Sequence, residues 1–145
     1  MSGGLVNNAE CIPYTCTTAV SYAGTIVAGA STASTVDICG AASTDITVNE
    51  PIGYTFTNTK NPITGVATAA QKVGICALIP GQVAEFVVVA GNTAISIGDK
   101  LMTAAGGTVD KKSGACWCIG TALEAVDGAA AGYIKVRINK HWCSA

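Results

Sequence analysis

An all-β fold, a small β-barrel or β-sandwich with an extended N-terminal arm, is what this sequence predicts, and three observations predict it. Val and Ile together number 27 against 4 Leu, and Thr adds another 17. β-Branched side chains are stiff at χ1 and fit a pleated sheet better than a helix. Ala (24) and Gly (17) supply much of the remainder, which implies a thin core and close backbone approach at turns. Short apolar runs alternate with turn residues at a spacing of roughly 8–12 residues, the rhythm of a sandwich or barrel.

Residues 1–8 are small and polar and are expected as an arm or a frayed end. Residues 11–18 hold Pro13 and two cysteines and fit an ordered loop or a first short strand. Strand composition follows over 21–28, then a small polar linker, GASTAST, over 29–35. Residues 36–39 and 46–48 are expected as short strands on either side of a turn around 40–44. Across 52–57, Ile52, Tyr54 and Phe56 alternate with Gly53, Thr55 and Thr57. That is the periodicity of a half-buried strand with its bulky set on one face. A turn cluster occupies 58–62, and 65–71 is open between a short helix and an irregular strand.

Beyond residue 72 the pattern sharpens. Residues 73–79 make a nearly continuous apolar strand, and Pro80-Gly81 marks a turn. Residues 83–89 are the strongest strand, interrupted by Glu85, and 92–99 form a loop ending in Gly98-Asp99. Residues 100–103 and 108–111 flank a hairpin connection at 104–107. Strands at 116–124 and 133–139 are separated by a Gly/Ala loop. In the last strand Ile134, Val136 and Ile138 share one face and Tyr133, Lys135, Arg137 and Asn139 the other. The expected organisation is an N-terminal arm and peripheral β segment over 1–50 and a β-rich core over 51–145. Together they make one compact domain, as 145 residues favour.

Only 12% of the residues are charged, against about 25% in an ordinary soluble domain. With 2 Phe, 2 Trp and 4 Tyr the chain has few large anchors, so an isolated monomer is expected to be modestly stable and to gain from burial against other subunits. Residues 1–59 contain no Lys or Arg and carry a net charge of −4, whereas 60–145 carry +3. Neighbouring copies can attract through such halves; scattered solvated charges are the plainer alternative. A pI near 5.7 gives no support for nucleic-acid binding. The longest nearly apolar run, 19–30, is shorter than the roughly 20 residues of a membrane span and has no basic flank of a secretory signal.

The seven cysteines, Cys11, Cys16, Cys39, Cys76, Cys116, Cys118 and Cys143, are an odd number, so at most three intrachain disulfides form. Cys76, inside VGICALI, fits a buried small hydrophobe. A disulfide is considered between Cys11 and Cys16 or within the C-terminal group. The pairs Cys116-x-Cys118 and His141-x-Cys143 each put two ligand atoms on one face of a strand. If the two segments pair, four ligands of a Cys3His set converge. The spacing is not that of a Cys-x-x-Cys knuckle, and the expectation is no metal and no cofactor. His141 and Cys143 also have the residue types of a base and a nucleophile, but nothing in the sequence supplies an oxyanion hole or an orienting acid, and with one His in the chain no enzymatic activity is expected. Glu124 and Asp127 are expected to be solvated. Candidate interface residues are Leu5, Val6, Asn7 and Asn8 in the arm and the aromatic anchors Trp117 and Trp142.

The block VAEFVVVAGNTAISIGDKLMTAAGGTVDKKSG, followed by IGTALEAVDGAAAGYIKVRI, resembles the decoration (cement) proteins of tailed-phage capsids. The matching features are I-x-x-G-D-x-L over residues 95–101, G-x-A-L-E-A over 120–125 and G-x-I-x-V-x-I over 132–138. Residues 51–59 and 65–79 fit that family's earlier strands more loosely, and the first 50 residues less well. The resemblance implies a small β-fold, often a homotrimer, on the outer surface of a virion, bound over junctions between major capsid protein subunits. It implies assembly in a host cytoplasm and no enzymatic activity, small-molecule substrate, nucleic acid or membrane partner. Seven cysteines depart from the family's usual composition. Competing expectations are a structural β-module of another assembly, such as a head fibre base, tail component or surface adhesin, or a small zinc- or redox-active Cys-rich domain.

Overall fold

A computed structural model describes residues 11–30, 32 and 34–145. The candidate arm residues Leu5, Val6, Asn7 and Asn8 lie outside the described residues. The fold is all-β. Among the described residues ten strands run in the order β1 (Cys11–Cys16), β2 (Ile26–Gly29), β3 (Thr35–Ile38), β4 (Pro51–Thr55), β5 (Gln71–Ala77), β6 (Val83–Val88), β7 (Lys100–Ala104), β8 (Thr108–Lys111), β9 (Cys116–Ala122) and β10 (Gly132–Cys143). Among the described residues no helix is long and apolar enough to cross a membrane.

The first five strands close into a barrel in the order β1-β3-β2-β4-β5, with β1 parallel to β3 and antiparallel to β5 at the closing seam. Strands on both sides of residue 50 therefore share one sheet. The last five form a second sheet in the order β6-β10-β9-β7-β8. Its edge strands β6 and β8 approach each other, so the sheet curls toward closure.

Residues 46–48 do not form the expected strand; they lie in a turn, with Ile46 and Val48 exposed. The segment carries Asp45, whose carboxylate accepts the Thr47 N–H (2.9 Å) and hydroxyl (2.8 Å). Such a side chain offers the backbone a turn in place of a ladder. Residues 65–71 are not helical either: Ala67 bridges to Lys60, and β5 starts at Gln71.

The face assignment on β4 is reversed from the simplest hydrophobic expectation. Gly53 and Thr55 are buried, while Ile52 and Phe56 are exposed, Phe56 at 66%. The barrel interior is too tight for the bulky set. A Cβ on Gly53 would lie 2.6 Å from both the Cys76 carbonyl oxygen and the Ile75 side chain. Thr55 spends its hydroxyl internally, accepting the Thr25 N–H at 3.1 Å and donating to the Tyr22 carbonyl at 3.3 Å.

Two cores result. Cys16, Val20, Val27, Val36, Val73 and Ile75 fill the barrel. Phe86, Leu101, Val109, Ile119, Ile134, Val136 and Ile138 dominate the larger core, which also takes Ile26 and Cys39 from the barrel half. Tyr54 meets Phe86 edge to face, with centroids 5.3 Å apart, across the junction. The β7–β8 hairpin docks there through Gly107, which accepts the Ile26 N–H and donates to the Cys39 carbonyl, both at 2.8 Å. Gly107 has φ 71°, and any Cβ would strike Thr25 and the Ile26 carbonyl, so only glycine fits this contact.

Candidate functional site

Pairing of β9 with β10 assembles the C-terminal cysteines. Ile138 lies opposite Gly120, but His141 lies opposite Cys118, Trp142 opposite Trp117 and Cys143 opposite Cys116. One extra residue on β10 is absorbed between Ile138 and His141. Without that bulge, strict pairing from Ile138 would set Lys140 and Trp142 beside Cys118 and Cys116. The bulge re-aims the strand and delivers His141 and Cys143 instead. The resulting cluster of Cys116, Cys118 and Cys143 is separate from the main core and packs against Ala42 and Met102.

The Cys118 and Cys143 sulfurs are 3.0 Å apart, and His141 Nε2 is 3.1 Å from Cys143 Sγ. All three ligand atoms lie within 4.8 Å of one another. His141 Nδ1 sits 2.7 Å from the Asn139 carbonyl oxygen. A carbonyl only accepts, so Nδ1 carries the proton and Nε2 turns its lone pair toward the sulfurs. Burial pushes the Cys118 thiol up, and the hydrogen bond to Cys143 and the adjoining Cys116 add to that. Cys39, free and buried elsewhere, is pushed up to about 12, mainly by burial. A thiol held protonated in this way is not an activated nucleophile.

Cys11 and Cys76 form a disulfide across the barrel seam, facing each other on β1 and β5 with Cα atoms 4.5 Å apart. This corrects the Cys11–Cys16 expectation and the view of Cys76 as a buried thiol. Cys11 and Cys16 occupy the two ends of one strand. An extended strand advances about 3.3 Å per residue, far past disulfide reach over that span. Cys116, Cys118 and Cys143 are free thiols, as is Cys16.

Trp117 and Trp142 contact edge to face, with centroids 5.6 Å apart, and both are half-buried. Trp117 Nε1 donates to the Ile46 carbonyl at 2.9 Å, and Lys140 lies 5.0 Å over its ring while pairing with Glu50 at 2.7 Å. Glu124 and Asp127 work within the backbone: their carboxylates accept the N–H groups of Lys135 (2.7 Å) and Ala129 (2.8 Å). Tyr133, Lys135 and Arg137 are exposed.

The three motif segments have structural tasks. Ile95 and Leu101 are core residues, Gly98 turns at φ 91°, and Asp99 accepts the Ser96 N–H at 2.8 Å while pairing with Lys111 at 3.1 Å. Gly120 lies flush on the β10 backbone at Arg137, and Ala122 is buried. Ile134, Val136 and Ile138 are fully buried. Sequence reasoning did not find the Cys11–Cys76 pair or the groove lined by Tyr54, Phe56, Glu85 and Tyr133 between the two halves. Both depend on strand register, which no local signal specifies. Comparison with known protein families and with curated proteins finds no match.

Proposed function

We propose that this chain is a decoration (cement) protein that binds the outer surface of a tailed-phage capsid as a homotrimer and holds junctions between major capsid protein subunits. The resemblance of residues 83–138 to that family carries the reading. The surface supports it: Phe56, Ile63 (92% exposed) and Ile97 (70% exposed) present large apolar side chains in a chain with 12% charged residues. Such side chains gain free energy when a partner covers them. Ile97 lies inside the I-x-x-G-D-x-L segment, flanked by the buried Ile95 and Leu101, so a rigid base presents it.

The action is mechanical. A DNA-filled head strains its subunit junctions outward. A trimer touching several capsomers converts weak contacts into strong retention, because each further contact forms at high effective concentration. No chemical step is required. The protein is virion-associated in this reading and acts without substrate or nucleic acid.

Size-exclusion chromatography with light scattering, followed by addition of the purified chain to undecorated heads, tests the proposal. The expected outcome is a trimer that adds to heads at saturable stoichiometry and raises their resistance to heat. A stable monomer that never adds to heads contradicts it.

A further inference from the structure

We propose that Cys116, Cys118, His141 and Cys143 bind one zinc ion, which clamps the C-terminal end of β10 to β9. The donor set is the soft-to-borderline mixture of thiolate and imidazole that selects Zn2+ over hard cations. Three of the four ligand atoms already lie within 4.8 Å of one another. The fourth, Cys116, belongs to the same buried cluster and faces Cys143 across the ladder. The register places all four residues on one sheet face, and the bulge on β10 brings two of them, His141 and Cys143, there.

The imidazole is oriented as a metal ligand would be. Its Nδ1–H is held by the Asn139 carbonyl at 2.7 Å, and Nε2 points at the sulfurs. A backbone carbonyl on the remote ring nitrogen fixes tautomer and ring direction in metal sites. Zinc with Zn–S near 2.3 Å and Zn–N near 2.0 Å holds its ligand atoms roughly 3.5–3.8 Å apart. The present separations of 3.0 and 3.1 Å must therefore widen by less than about 1 Å. Small side-chain rotations supply that, and His141, half-buried at the edge of the cluster, leaves a side for entry. On binding, three S–Zn bonds and one N–Zn bond form, and three thiol protons leave to water; no electron is transferred. Binding to the folded state alone stabilises it by mass action.

This inference rests on β9 and β10 and is independent of capsid binding. The test uses the full chain, reduced with a phosphine and stripped by chelator, then titrated with Co2+ and afterwards with Zn2+. One Co2+ per chain is expected, with thiolate-to-cobalt charge-transfer bands and tetrahedral d–d bands, both lost when Zn2+ displaces it. Cys118→Ser lowers the charge-transfer bands by about a third. Cys116→Ala lowers them in proportion to the thiolates remaining. His141→Gln shifts the d–d bands, and because that ring is half-exposed this variant keeps the experiment decisive if the cysteine variants fail to fold. Cys16→Ala, in the barrel core, leaves the spectrum unchanged. Absence of tetrahedral bands in the wild-type chain, cobalt bound without thiolate bands, or a spectrum insensitive to both Cys118→Ser and His141→Gln overturns the assignment.

Discussion

The barrel and the curled sheet each contain five strands, yet they are stabilised differently. The curled sheet has a core with Phe86, Leu101, Ile119, Ile134 and Ile138, large enough to hold its strands by apolar burial. The buried residues of the barrel core are Cys16, four valines and Ile75, with the partly buried Tyr14 and Ile38 packed against them. Five strands enclose a narrow space, so the bulky Ile52 of β4 and Phe56 just beyond its end face outward. Buried hydroxyls compensate in part. Thr59 accepts the Val20 N–H at 2.9 Å, and Thr55 bonds to both Thr25 and Tyr22. The Cys11–Cys76 disulfide then joins β1 to β5 where the ring closes. A short closed barrel is thus held by its seam and its hydrogen bonds, and a larger sheet by what it covers.

Truncating the larger core should have the greatest effect. Phe86→Ala removes a fully buried ring that also anchors Tyr54. It is expected to cost about 3–5 kcal/mol, read as a fall in denaturation midpoint at unchanged slope. Because Tyr54 belongs to the barrel, both halves should loosen together; loss confined to β6–β10 would show that the two cores are independent.

Opening the seam comes next. Replacing Cys11 and Cys76 together by Ser releases a link across 65 residues and is expected to cost about 2–4 kcal/mol. Amide exchange should accelerate in β1 and β5 and stay slow in β9 and β10. Equal acceleration in both would erase the contrast drawn between the halves.

The smallest expected effect is electrostatic. Asp37, within β3, is held below the usual carboxylate range, first by the Thr18 hydroxyl and also by the Ile38 N–H at 2.8 Å. A lowered folded pKa means the contribution is present above the ordinary carboxylate value and is lost as pH falls through the folded one. Asp37→Asn should therefore lower the melting temperature slightly at neutral pH, and the gap to wild type should close in strong acid. A gap that widens in acid would contradict the sign.

What the sequence revealed follows the same division. From β5 onward the strands were legible because apolar runs there are long enough to cover a real core, as in Ile134, Val136 and Ile138. Before β5 the strands were legible in outline, as β1 to β4 overlap the expected segments, but two details went astray. Alternation at 52–57 separated two faces correctly but could not say that the inner one was Gly53 and Thr55, because interior width is set by ring closure and not by local composition. Residues 46–48 have strand composition, but Asp45 caps a turn there. At the cysteine cluster the sequence specified which residues share a face; that β9 and β10 pair, and that a bulge brings 141 beside 118, are properties of register. The Cys11–Cys76 pair was hidden for the same reason.

One image bears most directly on the proposal that this chain is a passive clamp on a capsid: a reconstruction of the phage head at modest resolution, compared with one lacking this chain. The account predicts extra trimeric density on the outer surface, seated over junctions between capsomers and absent from the second reconstruction. Identical outer surfaces in the two, or density at the tail or inside the shell, would contradict it.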